Sequence, residues 1–215
     1  DLLVEWIIAS KRRLPFLDWM LILAIFAVIV FFGILPGITV GILLSVVLFV
    51  INYARISVIR TAGNLKDWRS HVDRSPEESA TLGRLGGSCE IISLQGYLFF
   101  ATAEKIVDHV RKRLKNEQTD QLKYLVLDFS HVGGCDLAAV VAFANVINIA
   151  SKSGFSLLFS GMSDDMRRLF NRSDMVFTNA EIVSEFVDVD RAIEFCEEAM
   201  LADETFESFG AGIDA

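Results

Sequence analysis

The sequence is poor in the residues from which metal sites, disulfide frameworks and catalytic centres are built. Its 215 residues include three cysteines and three histidines. Cys89, Cys135 and Cys196 lie far apart, are odd in number and form no C-x-x-C pair, so their spacing gives neither a disulfide framework nor a zinc site. A reducing cytoplasm fits that usage. His71, His109 and His131 are equally scattered and read as surface or turn residues without the partners of a metal site or a catalytic pair. No nucleophile, base and orienting group emerge together, so the residues offer no catalytic set, no metal site and no cofactor, and the chain does not read as an enzyme. Excess positive charge is missing as well. A net charge of −8 removes the general attraction to phosphate backbones, and nucleic acid is dropped as a partner.

Charge of either sign is missing over one long stretch. The 35 residues from Trp19 through Tyr53 contain no Asp, Glu, Lys, Arg or His. A helix needs about 20 residues to cross about 30 Å of hydrocarbon, so this run is too long for one crossing and just long enough for two. Gly33-Ile34-Leu35-Pro36-Gly37 should break it, giving helices of roughly Leu17 to Phe32 and Ile38 to Ile56. Lys11, Arg12 and Arg13 precede the first helix and Arg55 and Arg60 follow the second, which puts both ends in the cytoplasm by the positive-inside rule. Trp19 and Tyr53 are candidate headgroup-level anchors. A secretory signal peptide would be shorter and end in a small-residue cleavage site; a buried soluble hairpin would carry polar residues on an outer face. With no ionisable residue inside either helix, transport chemistry is expected elsewhere, and Gly33, Gly37, Gly41 and Ser45 are available for close helix contact.

From Arg55 onward charges recur every few positions, as in a globular domain of ordinary size. After a polar linker, Asn64 to Ser79, the pattern Cys89 to Gly96 reads as a strand. Thr102 can cap a helix whose apolar stripe is Ala103, Ile106, Val107, Val110 and Leu114. The continuous apolar run Tyr124 to Phe129 predicts a strand buried on both faces, central in a largely parallel sheet. Asp136 then opens Leu137 to Ala150, a helix apolar nearly all round and therefore expected to be deeply buried. Strands at Phe155 to Phe159 and Ile182 to Phe186 follow, with a short helix from Ser163 to Phe170 between them. A closing helix through Leu201 should be capped by Asp188 or Asp190. The fold class is α/β: a membrane hairpin (1–60), a linker (61–81), a domain with a mostly parallel sheet and about four helices (82–201), and a flexible acidic tail (202–215).

The segment Leu127-Asp128-Phe129-Ser130-His131-Val132-Gly133-Gly134-Cys135-Asp136, with the order of elements around it, resembles a STAS domain. Leu94 to Ala103, and the Lys11-Arg12-Arg13-Leu14-Pro15 entry to a Leu-Pro-Gly hairpin, look like the sulfate permease (SulP) family of anion transporters. The likeness runs over about residues 1 to 201. It implies a homodimeric secondary transporter in the lipid bilayer, carrying sulfate, bicarbonate or a related inorganic anion through a substrate site in upstream helices, which the first residue, Asp1 rather than Met, also leads us to expect. It further implies a cytoplasmic STAS domain serving regulation and assembly, with Asp128, Ser130, Gly133, Gly134, Cys135 and Asp136 as its signature loop. Soluble STAS relatives carry a phosphorylatable serine just after the signature aspartate; Leu137 and Ala138 stand there and accept no phosphate.

Two of these residues have competing readings. Asp136 either only satisfies free amides at a helix start, or belongs to a Gly133–Asp136 surface for a protein partner, an anion or a nucleotide. Cys135 is a small apolar filler or, if the helix start lowers its pKa, a redox sensor. At the level of the whole chain the alternative to a transporter fragment is a membrane-anchored signalling module that binds a cytoplasmic regulatory protein, against which the missing hydroxyls at Leu137 and Ala138 count.

Overall fold

The structure, a computed structural model, describes residues 16–55, 57–172 and 182–211. It divides into two units, with the boundary between Ile56 and Ser57. The first is a helical hairpin of α1 (Phe16–Phe32) and α2 (Ile34–Arg55). The break expected across five residues is a single one. Gly33 alone leaves the helices, at φ 93°, where a side chain would be strained. Pro36 stays inside the first turn of α2, where its missing N–H would have had no partner anyway. The small residues close the hairpin on itself: a Cβ on Gly37 would collide with Ile29, and one on Gly41 would come within 3.2 Å of Ile25. The window Ile34–Ile51 has a mean hydropathy of 2.7 and is long enough to cross a membrane, while the apolar stretch of α1, Trp19–Phe32, is shorter. Most of the apolar side chains face outward, among them Phe31, Leu35, Ile42 and Phe49. Such a sleeve is unfavourable in water. The basic residues Lys11, Arg12 and Arg13 lie outside the described residues.

The second unit begins one residue after Ile56 and takes in the stretch expected as a linker. Its elements are β1 (Ile59–Asn64), α3 (Pro76–Leu85), a short 3-10 turn (Gly86–Ser88), β2 (Cys89–Leu98), α4 (Phe100–Lys115), β3 (Tyr124–Cys135), α5 (Leu137–Ser153), β4 (Ser156–Ser160), α6 (Asp164–Arg172), β5 (Val183–Phe186) and α7 (Val189–Ala211). The five strands lie in sequence order; β2 to β5 are parallel and β1 is antiparallel to β2. The sheet is therefore mixed, and five α-helices accompany it among the described residues where about four were expected. The extra one, α3, starts on a capping box. Ser75 Oγ accepts from Glu78 N at 3.2 Å and Glu78 Oε2 from Ser75 N at 2.8 Å, with Pro76 at the position that needs no N–H. The closing helix runs to Ala211, past the expected end at Leu201. Its cap is Asp188, which accepts from Arg191 N at 2.9 Å. Thr102 caps α4 from the third helical position, accepting from Phe99 N at 2.9 Å.

The double burial of β3 is as expected. Leu125, Leu127 and Phe129 enter the core under α4, α5 and α6; Val126 enters the opposite core, built from Leu65, Leu82, Ile91, Ala192, Ile193, Cys196 and Met200. The larger core centres on Phe129, Phe143, Phe159 and Phe170, each ring tilted or edge-on to the other three at centroid separations of 5.4 to 6.3 Å, as aromatic quadrupoles prefer. The expectation that α5 is deeply buried all round is corrected. Ala139, Val140, Phe143 and Val146 face the core, but Leu137 and Val141 are 58% and 47% exposed, because no further layer covers this side of the helix among the described residues of its unit.

The second core holds the stretch after β1 in place. Glu197, 1% exposed, accepts from Ser70 Oγ at 2.6 Å, Ser70 N at 3.2 Å and Arg74 Nε at 3.3 Å. At the surface, Asp190 accepts from His71 N at 2.9 Å and pairs with His71 Nδ1 at 2.7 Å. That hydrogen bond, and then the charge of Asp190, raises the His71 pKa above its ordinary value, while the bond to His71 lowers that of Asp190.

Two outcomes follow for stability. Phe159→Ala, by emptying the ring cluster, lowers unfolding stability by about 3–5 kcal/mol in chemical denaturation. The His71 contribution is full below the ordinary histidine pKa of 6.5 and fades as pH rises through the raised folded value; the Asp190 contribution is full above the ordinary 3.8 and fades on acidification. NMR titration therefore places the His71 pKa above 6.5, and Asp190→Asn brings it back.

The C-terminal edge of the sheet as candidate functional site

The residues from Asp128 to Cys135 do not form a turn after the strand; they continue β3 and stay paired with β2 as far as Leu98 and Cys135. The pairing slips twice. Between Ser93 and Gln95 the partner residues jump from Asp128 to His131, so Phe129 and Ser130 oppose the single Leu94, as in a β-bulge. Asp128 is buried and fixes this irregularity from below: its carboxylate accepts from Ser93 Oγ at 2.9 Å, Ser130 N at 3.0 Å and Ser130 Oγ at 2.5 Å. Three donors to one ionised group give charge-assisted bonds of the stronger kind. Asp128 is thus a positioning residue, and Ser130 is the exposed member it holds.

The second slip lies between Gly96 and Tyr97, opposite Val132 and Gly134. Gly134, at φ 156°, lies under the Tyr97 ring, whose Cε2 would stand 3.0 Å from any added Cβ. Glycine is required there both for its backbone angle and for the close approach. Beyond it, Asp136 N donates to Leu98 O at 3.0 Å, which joins the start of α4 to the start of α5. Asp136 Oδ1 accepts from Ala139 N at 2.7 Å; the capping role is real, and this carboxylate is occupied by its own helix.

A shallow recess of about 180 Å³ opens at this edge, lined by Tyr97, Gly133, Gly134, Cys135, Ser163 and Met166 among others. It collects three of the six signature residues; Ser130 lies outside its lining, Asp128 is buried and Asp136 caps a helix. Tyr97, Ser163 and Met166 were not singled out in the sequence. The sign for Tyr97 was a bulky residue directly after Gly96 in a strand pattern. The Cys135 thiol is pushed up to about 11, by burial first and by the neighbouring Asp136 charge second. A lowered pKa was the premise of a redox sensor, and the reverse holds: burial disfavours the thiolate, and the Asp136 charge beside it adds to the effect. Among the described residues no three His, Cys, Asp or Glu side chains could hold a metal ion.

The topology explains why this edge is so flat. In open α/β sheets ligands sit where the strand order reverses and neighbouring crossovers part to opposite faces. Here β2, β3, β4 and β5 follow in order, and the side chains of α4, α5 and α6 share one core, so the described strands have no such reversal point and the recess at their C-terminal edge is small. What the edge presents instead is surface: exposed Tyr97, Phe100, Leu137 and Val141, gathered by the Leu98–Asp136 bond. An arrangement of this kind suits contact with a macromolecule.

Residues 86–188 match the family description of the STAS domain. The chain contains a STAS domain. Its α/β architecture is the STAS fold, and the domain's first strand, β1, lies upstream of the matched segment. Over 210 residues, 94% of this chain, it is 25% identical to the vacuolar basic amino acid transporter VSB1 of Saccharomyces cerevisiae. Over 186 residues, 83% of the chain, it is 21% identical to sulfate transporter 3.1 of Arabidopsis thaliana. It spans 20% and 28% of the lengths of these two relatives. The murine Slc26a9 anion transporter in its inward-facing state superposes with a TM-score of 0.58 at 18% identity, over 89% of this chain and 30% of that one, and so shares its fold. Hairpin and STAS domain in this order fit the SulP family of transporters.

Asp136→Ala frees the first amides of α5 and lowers unfolding stability by about 0.5–2 kcal/mol, measured by chemical denaturation; Asp136→Asn, which keeps the accepting oxygen, loses less.

Proposed function

We propose that this chain is the C-terminal part of a secondary anion transporter, in which the hairpin completes a bundle of membrane helices and the STAS domain, on the cytoplasmic side, serves regulation and dimer assembly. One observation carries this reading: the matches to transporters run through hairpin and STAS domain together, over 94% and 83% of the chain, rather than through the domain alone. The outward apolar surface of α1 and α2 supports a place among lipid and other helices. Their lack of ionisable residues supports a substrate site carried by segments outside this chain. The anion is inorganic, sulfate, bicarbonate or a related species.

The domain itself supports a regulatory part. It has a flat, partly apolar edge in place of a ligand crevice, and that edge suits a cytoplasmic protein surface better than a small molecule. The signature loop Asp128, Ser130, Gly133, Gly134, Cys135 and Asp136 acts in this reading as a shaped contact surface. Phosphorylation at the position after Asp136 has no acceptor in Leu137 and Ala138.

The test is uptake into proteoliposomes of the full-length protein that contains this chain, with sulfate, bicarbonate and L-arginine supplied separately. Saturable uptake of sulfate or bicarbonate is the expected result. Uptake of arginine alone would transfer the protein to the chemistry named for the yeast relative, and absence of all flux would leave the hairpin as an anchor for a signalling module.

A further inference from the structure

At the opposite end of the sheet a larger recess, about 480 Å³, is lined mostly by polar residues. β1 is an edge strand, and where it borders the recess its residues include the small Ala62 and Asn64. The floor is Glu90 on β2, 9% exposed. One carboxylate oxygen is held by His109 Nε2 at 2.7 Å. The other, Oε2, has no hydrogen-bond partner, although Arg113 Nε faces it at 3.5 Å.

Arg113 itself is spent. It donates to Gly87 O at 2.8 Å, to Asp120 O at 2.9 Å and to Thr119 Oγ1, so it fixes the wall and has little left for a ligand. The rim differs. Lys66 Nζ and Asp120 Oδ2 stand 3.7 Å apart, both about half exposed, and share no hydrogen bond. A pair of this kind contributes little to stability and opens easily. It leaves an ammonium donor and a carboxylate acceptor side by side at the mouth of a recess whose volume lies in the range of small-molecule sites.

We propose that this recess is a binding site for a small zwitterion of the free amino-acid class. The ligand carboxylate pairs with Lys66 and the ligand ammonium with Asp120, which replaces one loose pair by two charge-assisted contacts, and Glu90 Oε2, without a hydrogen-bond partner, is the acceptor left beneath them. Lys66 and Asp120 follow β1 and precede β3, so an occupied recess fastens the edge strand nearest the membrane hairpin in sequence to the central strand. The site is distinct from the signature-loop edge and stands independently of what the full-length protein transports.

Isothermal titration of the whole chain in detergent, with glycine, L-alanine and L-arginine as probes, tests this. Saturable binding at millimolar concentration or below is expected, with acetate and ethylamine, which carry one charge each, weaker by about tenfold or more. Lys66→Ala and Asp120→Asn lie on the surface and should leave the circular dichroism spectrum and thermal unfolding unchanged, while each weakens glycine binding by about tenfold. No saturable heat with any of the three amino acids, equal binding of acetate or ethylamine, or binding untouched by both substitutions would each overturn the proposal.

Discussion

The strand Tyr124–Phe129 has no polar side to offer water, and the fold answers that constraint. With Leu125, Leu127 and Phe129 on one face and Val126 on the other, the sheet must be covered twice. The three crossovers between parallel strands supply α4, α5 and α6 to a single face, since right-handed connections between strands laid down in order all fall on the same side. The other face has to be covered by what comes before β2 and after β5. That is why α3, Leu65 and α7 form the second core, and why a polar segment following the apolar hairpin is folded. The carboxylate of Glu197, buried in α7 and bonded by Ser70 and Arg74, joins the first and last parts of the domain across that face; its burial is tolerable only because these donors meet it.

The same winding decides what the domain can do. Because the strand order never reverses, the C-terminal edge lacks the crevice in which α/β proteins commonly hold cofactors, and the signature loop is drawn into an extended, bulged continuation of β3. Asp128 shapes it from beneath, Gly134 lets the Tyr97 ring close over it and Asp136 finishes it by capping α5. The product is a defined surface. The STAS match and the transporter relatives are the setting in which we propose that this surface acts in regulation. The polar recess at the other end is a separate feature, bordered by the small residues Ala62 and Asn64 of the edge strand.

Much of this could be read from residue patterns, and the failures have physical causes. The continuous run Tyr124 to Phe129 announced a central strand, and the stripe from Ala103 to Leu114 announced α4. The Gly33 break and the Asp136 cap were equally plain. The segment Asn64 to Ser79 was misread because its charges imply exposure, whereas it is held by a few particular contacts: Leu65 in the core, Ser70 and Arg74 on Glu197. The capping box Ser75-Pro76-Glu77-Glu78 was there to find. The exposed side of α5 misled in the other direction, since apolar Leu137 and Val141 imply burial in a chain taken alone. Cys135 looked activated because it precedes a helix, but its burial first and the capping carboxylate second disfavour the thiolate. Glu90, His109 and Lys66 could not be brought together from sequence, because only the sheet register places Asn64 opposite Glu90 and sets α4 above them.

The account rests on β3 being sealed on both faces, with the segment that follows β1 as part of the seal. Hydrogen–deuterium exchange of the whole chain in detergent tests this most directly, because protection reports the free energy of opening each segment. The amides of Leu125 to Asp128 should exchange last, and those of Leu65 to Arg74 should be protected well beyond the rate of an unstructured peptide. Exchange of Leu65 to Arg74 at the unstructured rate, or loss of protection in β3 before α5, would contradict it.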